Sequence, residues 1–175
     1  MQSPRSFRRH LPLRWLTLLT VVALATAALV SPAAADPPLQ YQFTFTASGD
    51  VDDLCPFPIH VDGVADITGT DFYDNSGMVV RSNWHVVEQD IFTANGTTLV
   101  GLPYVFNGHW YFDNSGAWTH IYSSGIMTRV PLPDGGMFFG AGHFDWDDHR
   151  GASFVFIPDH GHVRNLDAFC AALAP

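Results

Sequence analysis

Hydrophobic and polar side chains alternate along much of the chain, and the alternation is first seen at residues 41–46. The order there is Tyr-Gln-Phe-Thr-Phe-Thr, with an aromatic side chain at every second position. Successive side chains of a β-strand point to opposite faces, so this period of two predicts a strand with one buried face. A second strand is predicted through Ile59, Val61, Val64 and Ile67.

Turn signals then recur at intervals of 8 to 20 residues. Each contains Asn, Asp or Gly, which tolerate the positive φ angles of tight turns. The segments between them are rich in β-branched and aromatic residues. Several are longer than an ordinary strand, which predicts bends or bulges at Gly101, Gly108 and Gly125. Turns are predicted at residues 74–77, 95–96, 113–116, 134–136, 147–151 and 159–161, and strands at residues 78–92, 97–112, 117–130, 137–146 and 153–157.

Helical periodicity is confined to the C-terminal end. Leu166, Phe169, Cys170 and Leu173 follow the spacing i, i+3, i+4 and i+7 in an alanine-rich stretch, after Asn165 as a candidate cap. This spacing predicts one or two turns of helix.

Together these elements predict a single all-β domain over residues 36–175. Sequential hairpins without a long crossover favour an antiparallel up-and-down barrel of about eight strands, because closure removes exposed edges. A sandwich is the second choice. The tetrad Asp-Asn-Ser-Gly occurs at residues 74–77 and again at 113–116. We interpret it as reuse of a favourable hairpin turn.

Residues 1–35 have the three parts of a signal peptide. Arginines precede an apolar run at residues 16–30, and Ala33, Ala34 and Ala35 follow it. The apolar run has 15 residues, whereas a bilayer core needs about 20 in a helix. The sequence therefore predicts a secreted, extracellular protein that is not inserted in a membrane after cleavage, with the Sec and Tat routes both open.

Charge narrows the range of partners. Between residues 36 and 175, four arginines stand against 17 acidic residues, giving −13 with neutral histidines. This sign repels phosphate backbones and anionic lipids, so neither nucleic acid nor a membrane surface is an expected partner. We expect a monomer without a cofactor.

The chain has two cysteines, Cys55 and Cys170, both outside the leader. In an oxidising compartment two thiols of a small domain pair readily, and they lack the C-x-x-C spacing of a redox motif. A structural disulfide is therefore predicted, with two buried free thiols as the alternative. Closing so long a loop stabilises a fold by roughly 4–5 kcal/mol.

These features also carry a resemblance. The leader, the Phe-Thr-Phe-Thr strand, the Cys-Pro-Phe-Pro segment at residues 55–58 and the closing Asp-x-x-Cys-Ala-Ala-Leu segment at residues 167–173 resemble a group of small secreted actinobacterial proteins without an assigned activity. The resemblance implies a barrel-like fold with the same disulfide. It implies no catalytic residues.

The densest polar cluster is a candidate metal site. His143, Asp145 and Asp147 alternate and would share one face of a strand, and imidazole with carboxylates can ligate a divalent ion. The spacing of a calcium loop is not reproduced. We expect a polar outer face, with Phe144 and Trp146 pointing inwards, and treat the three residues as weak metal candidates.

Three functions remain open. The first is a non-catalytic, lipocalin-like barrel that binds a small apolar ligand. The second is a barrel-type enzyme for a hydrophobic substrate, in which Glu88 or Asp90 would partner a histidine such as His85, His109 or His120. The third is a carbohydrate or cell-wall interaction module that uses exposed tryptophans. No catalytic motif is recognised, so the sequence favours the first.

The leader yields the first testable prediction. N-terminal sequencing of the protein from culture supernatant should start at Asp36, because the small residues before it are those that signal peptidase reads. A secreted chain that still carries residues 16–30 would contradict the predicted cleavage.

Overall fold

The structure is a computed structural model that describes residues 36–149 and 154–175. It contains eight antiparallel strands and a short C-terminal helix, which confirms the predicted all-β class, strand number and helix. The elements are β1 Leu39–Val51, β2 Ile59–Tyr73, β3 Val79–Ala94, β4 Thr97–Val100, β5 Tyr104–Phe112, β6 Trp118–Pro131, β7 Met137–Asp145, β8 His160–Arg164 and α1 Leu166–Leu173.

The strands form one sheet in the order β1-β2-β3-β5-β6-β7-β8, so nearly every connection joins neighbours. The short strand β4 pairs with the end of β3, and β5 continues along the same side of β3. The break between β4 and β5 falls at Gly101, where a bend was predicted, and the Gly101 N–H donates to Asp90 O. In the described residues β1 and β8 are the sheet edges and do not pair, so a closed barrel remains a prediction.

Strand β2 shows why the sheet has two distinct faces. Ile59, Val61 and Ile67 are buried, while His60 and Asp62 between them are exposed. We call the face that carries these buried residues the inner face, and the opposite one the outer face. Cross-strand partners share a face, so the register extends this division across the sheet.

The two Asp-Asn-Ser-Gly tetrads form turns of the same geometry. Asp74 accepts hydrogen bonds from the backbone of Ser76 and Met78, and Asp113 accepts the same bonds from Ser115 and Ala117. A register shift precedes each turn at the corresponding position. Reuse of one favourable turn explains both, because the aspartate side chain satisfies amides that the turn would otherwise leave without a partner.

The main core lies at the end of the inner face where α1 packs. Phe169 of α1 is fully buried, with its ring centroid 5.2 Å from that of Phe92 on β3 and 4.4 Å from that of Phe138 on β7. Asn165 precedes the helix but does not cap it with its side chain, contrary to expectation. Its amide donates instead to Met137 O, which ties the start of α1 to β7.

The predicted disulfide is confirmed. Cys55 and Cys170 are bonded with their Cα atoms 5.6 Å apart, which joins α1 to the connection between β1 and β2. Leu54 beside the bridge belongs to the same core as Phe169. The bridge therefore lies at the main core.

One strand assignment is wrong. Residues 154–157 of the predicted strand at 153–157 are irregular, and the eighth strand lies later, at His160–Arg164, where a turn was predicted. Phe154 and Phe156 are nevertheless buried in the main core, and Phe156 contacts Phe92. Both side chains are apolar because they are buried, and a segment can be buried without pairing as a strand.

The predicted leader, residues 1–35, lies outside the described residues. No helix in the part of the chain that the structure describes is long and apolar enough to cross a membrane.

Removal of the disulfide tests its energetic role. The Cys55→Ser/Cys170→Ser double variant should lose about 4–5 kcal/mol of unfolding free energy, because a loop of 115 residues is no longer closed in the unfolded chain. Urea unfolding of the variant and of the wild type, each with and without reductant, measures this. Reduced wild type should match the variant, and an unchanged midpoint in both would contradict the prediction.

Candidate ligand-binding site

An aromatic pocket lies at the end of the inner face opposite α1. Its volume is about 450 Å³, and the two Asp-Asn-Ser-Gly turns contribute Gly77 and Gly116 to its rim. Strands β1, β3 and β5 supply its walls. The side chains that line it include Tyr41, Met78, Val79, Ser82, Trp84, Trp110 and Phe112.

Two glycines let aromatic rings lie flat against the sheet. A Cβ at Gly69 would stand 2.3 Å from the ring of Tyr41, and one at Gly108 would stand 2.3 Å from that of Trp110. Such contacts exclude any side chain at either position. Trp110 also packs against Trp84, with 3.9 Å between ring centroids and 33° between ring planes. The glycines on the inner face therefore create the aromatic walls, and Gly108 is not the bend that was predicted.

The polar atoms of the pocket bind one another. The Trp84 indole N–H donates to Tyr41 OH at 2.9 Å and to Ser82 Oγ at 3.0 Å, and Tyr41 OH donates to Asp71 Oδ1 at 3.1 Å. Burial raises the pKa of Tyr41, so the phenol stays protonated as this network requires. A ligand would meet aromatic faces whose hydrogen-bonding groups already have partners.

A second group of polar side chains is buried deeper on the inner face. Asp90 is 1% exposed, and its Oδ2 accepts a 2.6 Å hydrogen bond from Tyr104 OH. The carboxyl of Glu88 lies beside that of Asp90, and the two groups influence each other's pKa. Asp90 Oδ1 is buried without a hydrogen-bond partner, and Glu88 could donate to it only when Glu88 is protonated. A proton on Glu88 would therefore be shared between the two carboxyls.

Electrostatics agree with this assignment. Burial, with the charge of Asp90 as a second cause, raises the pKa of Glu88 from 4.5 to about 8. Burial also raises the pKa of Asp90, to about 6. Two anionic carboxylates in contact away from water are unfavourable, so Glu88 holds the proton.

Val86 separates this pair from the aromatic pocket. Glu88 lies four residues beyond Trp84 along β3, or about 13 Å at the rise of a strand. Val86 points to the same face between them and is 2% exposed. The pocket and the acid pair are thus distinct sites on one strand.

The predicted metal candidates are only partly brought together. Asp145 and Asp147 lie close to each other, and the histidine that joins them is His120 of β6, with Nδ1 2.7 Å from Asp147 Oδ2. His143 instead stacks on Tyr122, with 5.2 Å between ring centroids. His143 is therefore replaced by His120 in this cluster.

Phe144 and Trp146 lie on the inner face, as expected. Phe144 is 1% exposed. Trp146 is half-buried and reaches the inner face, where its indole N–H donates to Ser123 Oγ at 2.9 Å. The polar set on the opposite face is half-buried rather than freely exposed, because strand β6 lies beside it.

The other predicted histidines do not meet the acid pair. His85 contacts Asn107 and His109 contacts Asn83 on the outer face, whereas Glu88 and Asp90 lie on the inner face. The expectation that Glu88 or Asp90 would partner a histidine is wrong. Glu88 and Asp90 are two residues apart in a strand, so period two could have paired them with each other.

The chain matches no protein-family model, no curated protein and no solved structure. The resemblance noted above therefore remains a prediction.

The shared proton gives a prediction for pH. Because the pKa of Glu88 is raised in the folded state, its contribution to stability is complete below about pH 4.5 and is lost as the pH rises through about 8. Glu88→Gln keeps a hydrogen-bond donor to Asp90 and removes this loss. At pH 8 the unfolding free energy of the variant should exceed that of the wild type by about 2 kcal/mol. This is less than the whole shift in the pKa of Glu88 would give, because Glu88 is only partly buried.

Urea unfolding at pH 5 and pH 8 measures the effect. Asp113→Asn is the control. Hydrogen bonds from Ser115 lower the pKa of Asp113, so Asp113 changes the unfolding free energy in more acidic solution. In that variant the unfolding free energy should differ between pH 5 and pH 8 by as much as in the wild type. If Glu88→Gln also kept this difference, the two carboxyls would not share a proton.

Proposed function

We propose that this is a secreted, non-catalytic protein that binds one small ligand with an apolar or aromatic body in the aromatic pocket. The observation that carries the proposal is the cavity of about 450 Å³ walled by Tyr41, Trp84, Trp110 and Phe112. Small-molecule sites are typically concave, mostly apolar and a few hundred Å³ in volume.

The hydrogen bonds within the pocket favour an apolar ligand over a sugar. Tyr41, Ser82 and Trp84 donate and accept among themselves, so a sugar hydroxyl would have to displace existing bonds. An apolar ring would stack on the indoles at no such cost. Among the tryptophans in the described residues, Trp118 alone is exposed, which gives little support to a carbohydrate platform.

The proposal includes a lipocalin-like barrel and export. Phe92 of β3 and Phe138 of β7 both contact Phe169, so the sheet curves around α1 at one end as a barrel wall would. A disulfide is typical of an oxidising compartment, and it agrees with the predicted signal peptide.

An enzyme is the second candidate, because Glu88 and Asp90 form a carboxyl pair with raised pKa values, a common arrangement for acid–base catalysis. It is less well supported than binding. Val86 separates the pair from the aromatic pocket, so a ligand held there would not reach the carboxyls.

A neutral fluorescent naphthylamine probe tests the binding function. The wild type should bind one probe per chain with a rise in fluorescence, and an excess of long-chain alcohol should displace it. Trp110→Ala should weaken binding about tenfold, because it removes a stacking wall, and Val79→Phe should weaken it by filling the cavity.

Tyr122→Ala is the matched control, since it removes a comparable ring from the outer face. Circular dichroism should show that each variant is folded. Absence of saturable binding by the wild type, or an equal loss in Tyr122→Ala, would exclude the aromatic pocket as the ligand site.

A further inference from the structure

A separate set of side chains on the outer face converges on one point. His120 of β6 places Nδ1 2.7 Å from Asp147 Oδ2 and 3.8 Å from Asp145 Oδ1. All three ligand atoms lie within 4.8 Å of one another. An imidazole nitrogen and two carboxylate oxygens have therefore been brought together from two strands and a turn.

The backbone holds this set in position. The Asp147 N–H donates to Asp145 Oδ1 at 3.0 Å, and the Asp145 N–H donates to Asp159 Oδ2 at 2.8 Å. The Trp146 N–H donates to Ile121 O at 2.9 Å, which fixes the turn after β7 beside β6. Supporting hydrogen bonds of this kind orient metal ligands in proteins.

The spacing suits a small divalent ion. Zinc binds nitrogen and carboxylate oxygen at about 2.0–2.2 Å, which sets ligand atoms about 3.3–3.5 Å apart around a tetrahedral ion. The observed 2.7 Å and 3.8 Å separations from His120 Nδ1 lie on either side of that value. Shifts of roughly half an ångström in side chains would bring both separations to the value for a tetrahedral ion.

We propose that His120, Asp145 and Asp147 bind one divalent transition-metal ion, with zinc as the best match. In the metal-bound form the neutral His120 ring carries its one proton on Nε2, so that Nδ1 donates its lone pair to the metal, and the two carboxylates balance the charge of the ion. The nitrogen ligand disfavours calcium and magnesium, which prefer oxygen.

Accessibility and charge both favour uptake. The three side chains retain 43%, 34% and 26% of their exposure, so an ion can enter from solvent and keep water at its remaining positions. A charge of −13 over residues 36–175, from four arginines and 17 acidic residues, attracts cations. Three protein ligands with an open position describe a zinc site that can also hold an exogenous ligand.

The proposal is tested by treating the protein over residues 36–175 with a chelator and then titrating it with zinc. Calorimetry should show one zinc per chain, and cobalt as a substitute should give visible absorption bands. The melting temperature should rise with zinc concentration as mass action requires, and millimolar calcium or magnesium should not reproduce the rise.

Variants separate this site from its neighbours. His120→Gln and Asp147→Asn should each weaken zinc binding more than about tenfold and abolish the cobalt bands. His143→Gln is the matched control, since His143 lies on the same outer face but contacts Tyr122, and it should bind as the wild type does. Circular dichroism checks that all three fold.

Two results would overturn the proposal. One is the absence of stoichiometric zinc binding, which would leave His120 and Asp147 as a surface hydrogen bond only. The other is zinc binding that survives His120→Gln or is lost in His143→Gln, which would place the ion elsewhere. Neither result bears on the aromatic pocket, which lies on the opposite face.

Discussion

The packing of Phe169 is the contact on which the rest of the structure depends. Its ring is fully buried between Phe92 and Phe138, which belong to strands three steps apart in the sheet. Burial of such a ring is worth about 2–3 kcal/mol, and it requires the sheet to curve around α1. The Cys55–Cys170 bridge holds the same helix to the β1–β2 connection, so packing and covalent constraint act at one end.

From the end where α1 packs, the inner face divides into three zones. Next to the phenylalanine core lies the acid pair Glu88 and Asp90. Tyr104 donates to Asp90, and the raised pKa of Glu88 favours the neutral form of that carboxyl, so the burial of the pair is tolerated. Beyond Val86 the face opens into the aromatic pocket. This gradient from packed to polar to open places the aromatic pocket at the end of the face away from α1.

The turn after β7 serves both faces of the sheet. Trp146 reaches the inner face and donates to Ser123, while Asp145 and Asp147 on either side of it face His120 on the outer face. Fixing the indole on one face therefore fixes the carboxylates on the other. A single local geometry thus links a stability contact to the proposed metal site.

The sequence by itself determined the local features. The alternation of period two predicted the strands, and Asp-Asn-Ser-Gly predicted two identical turns, because both depend on nearby residues. The disulfide was predicted because the chain has two cysteines. Tertiary structure decided which strands meet. His120, and not His143, joins Asp145 and Asp147, and Glu88 lies beside Asp90, not beside a histidine. Both results depend on the register and the face of each strand, which are set by pairing between distant segments. The ring of Tyr41 covers Gly69 only because β1 pairs with β2, whereas Trp110 covers Gly108 within β5 itself.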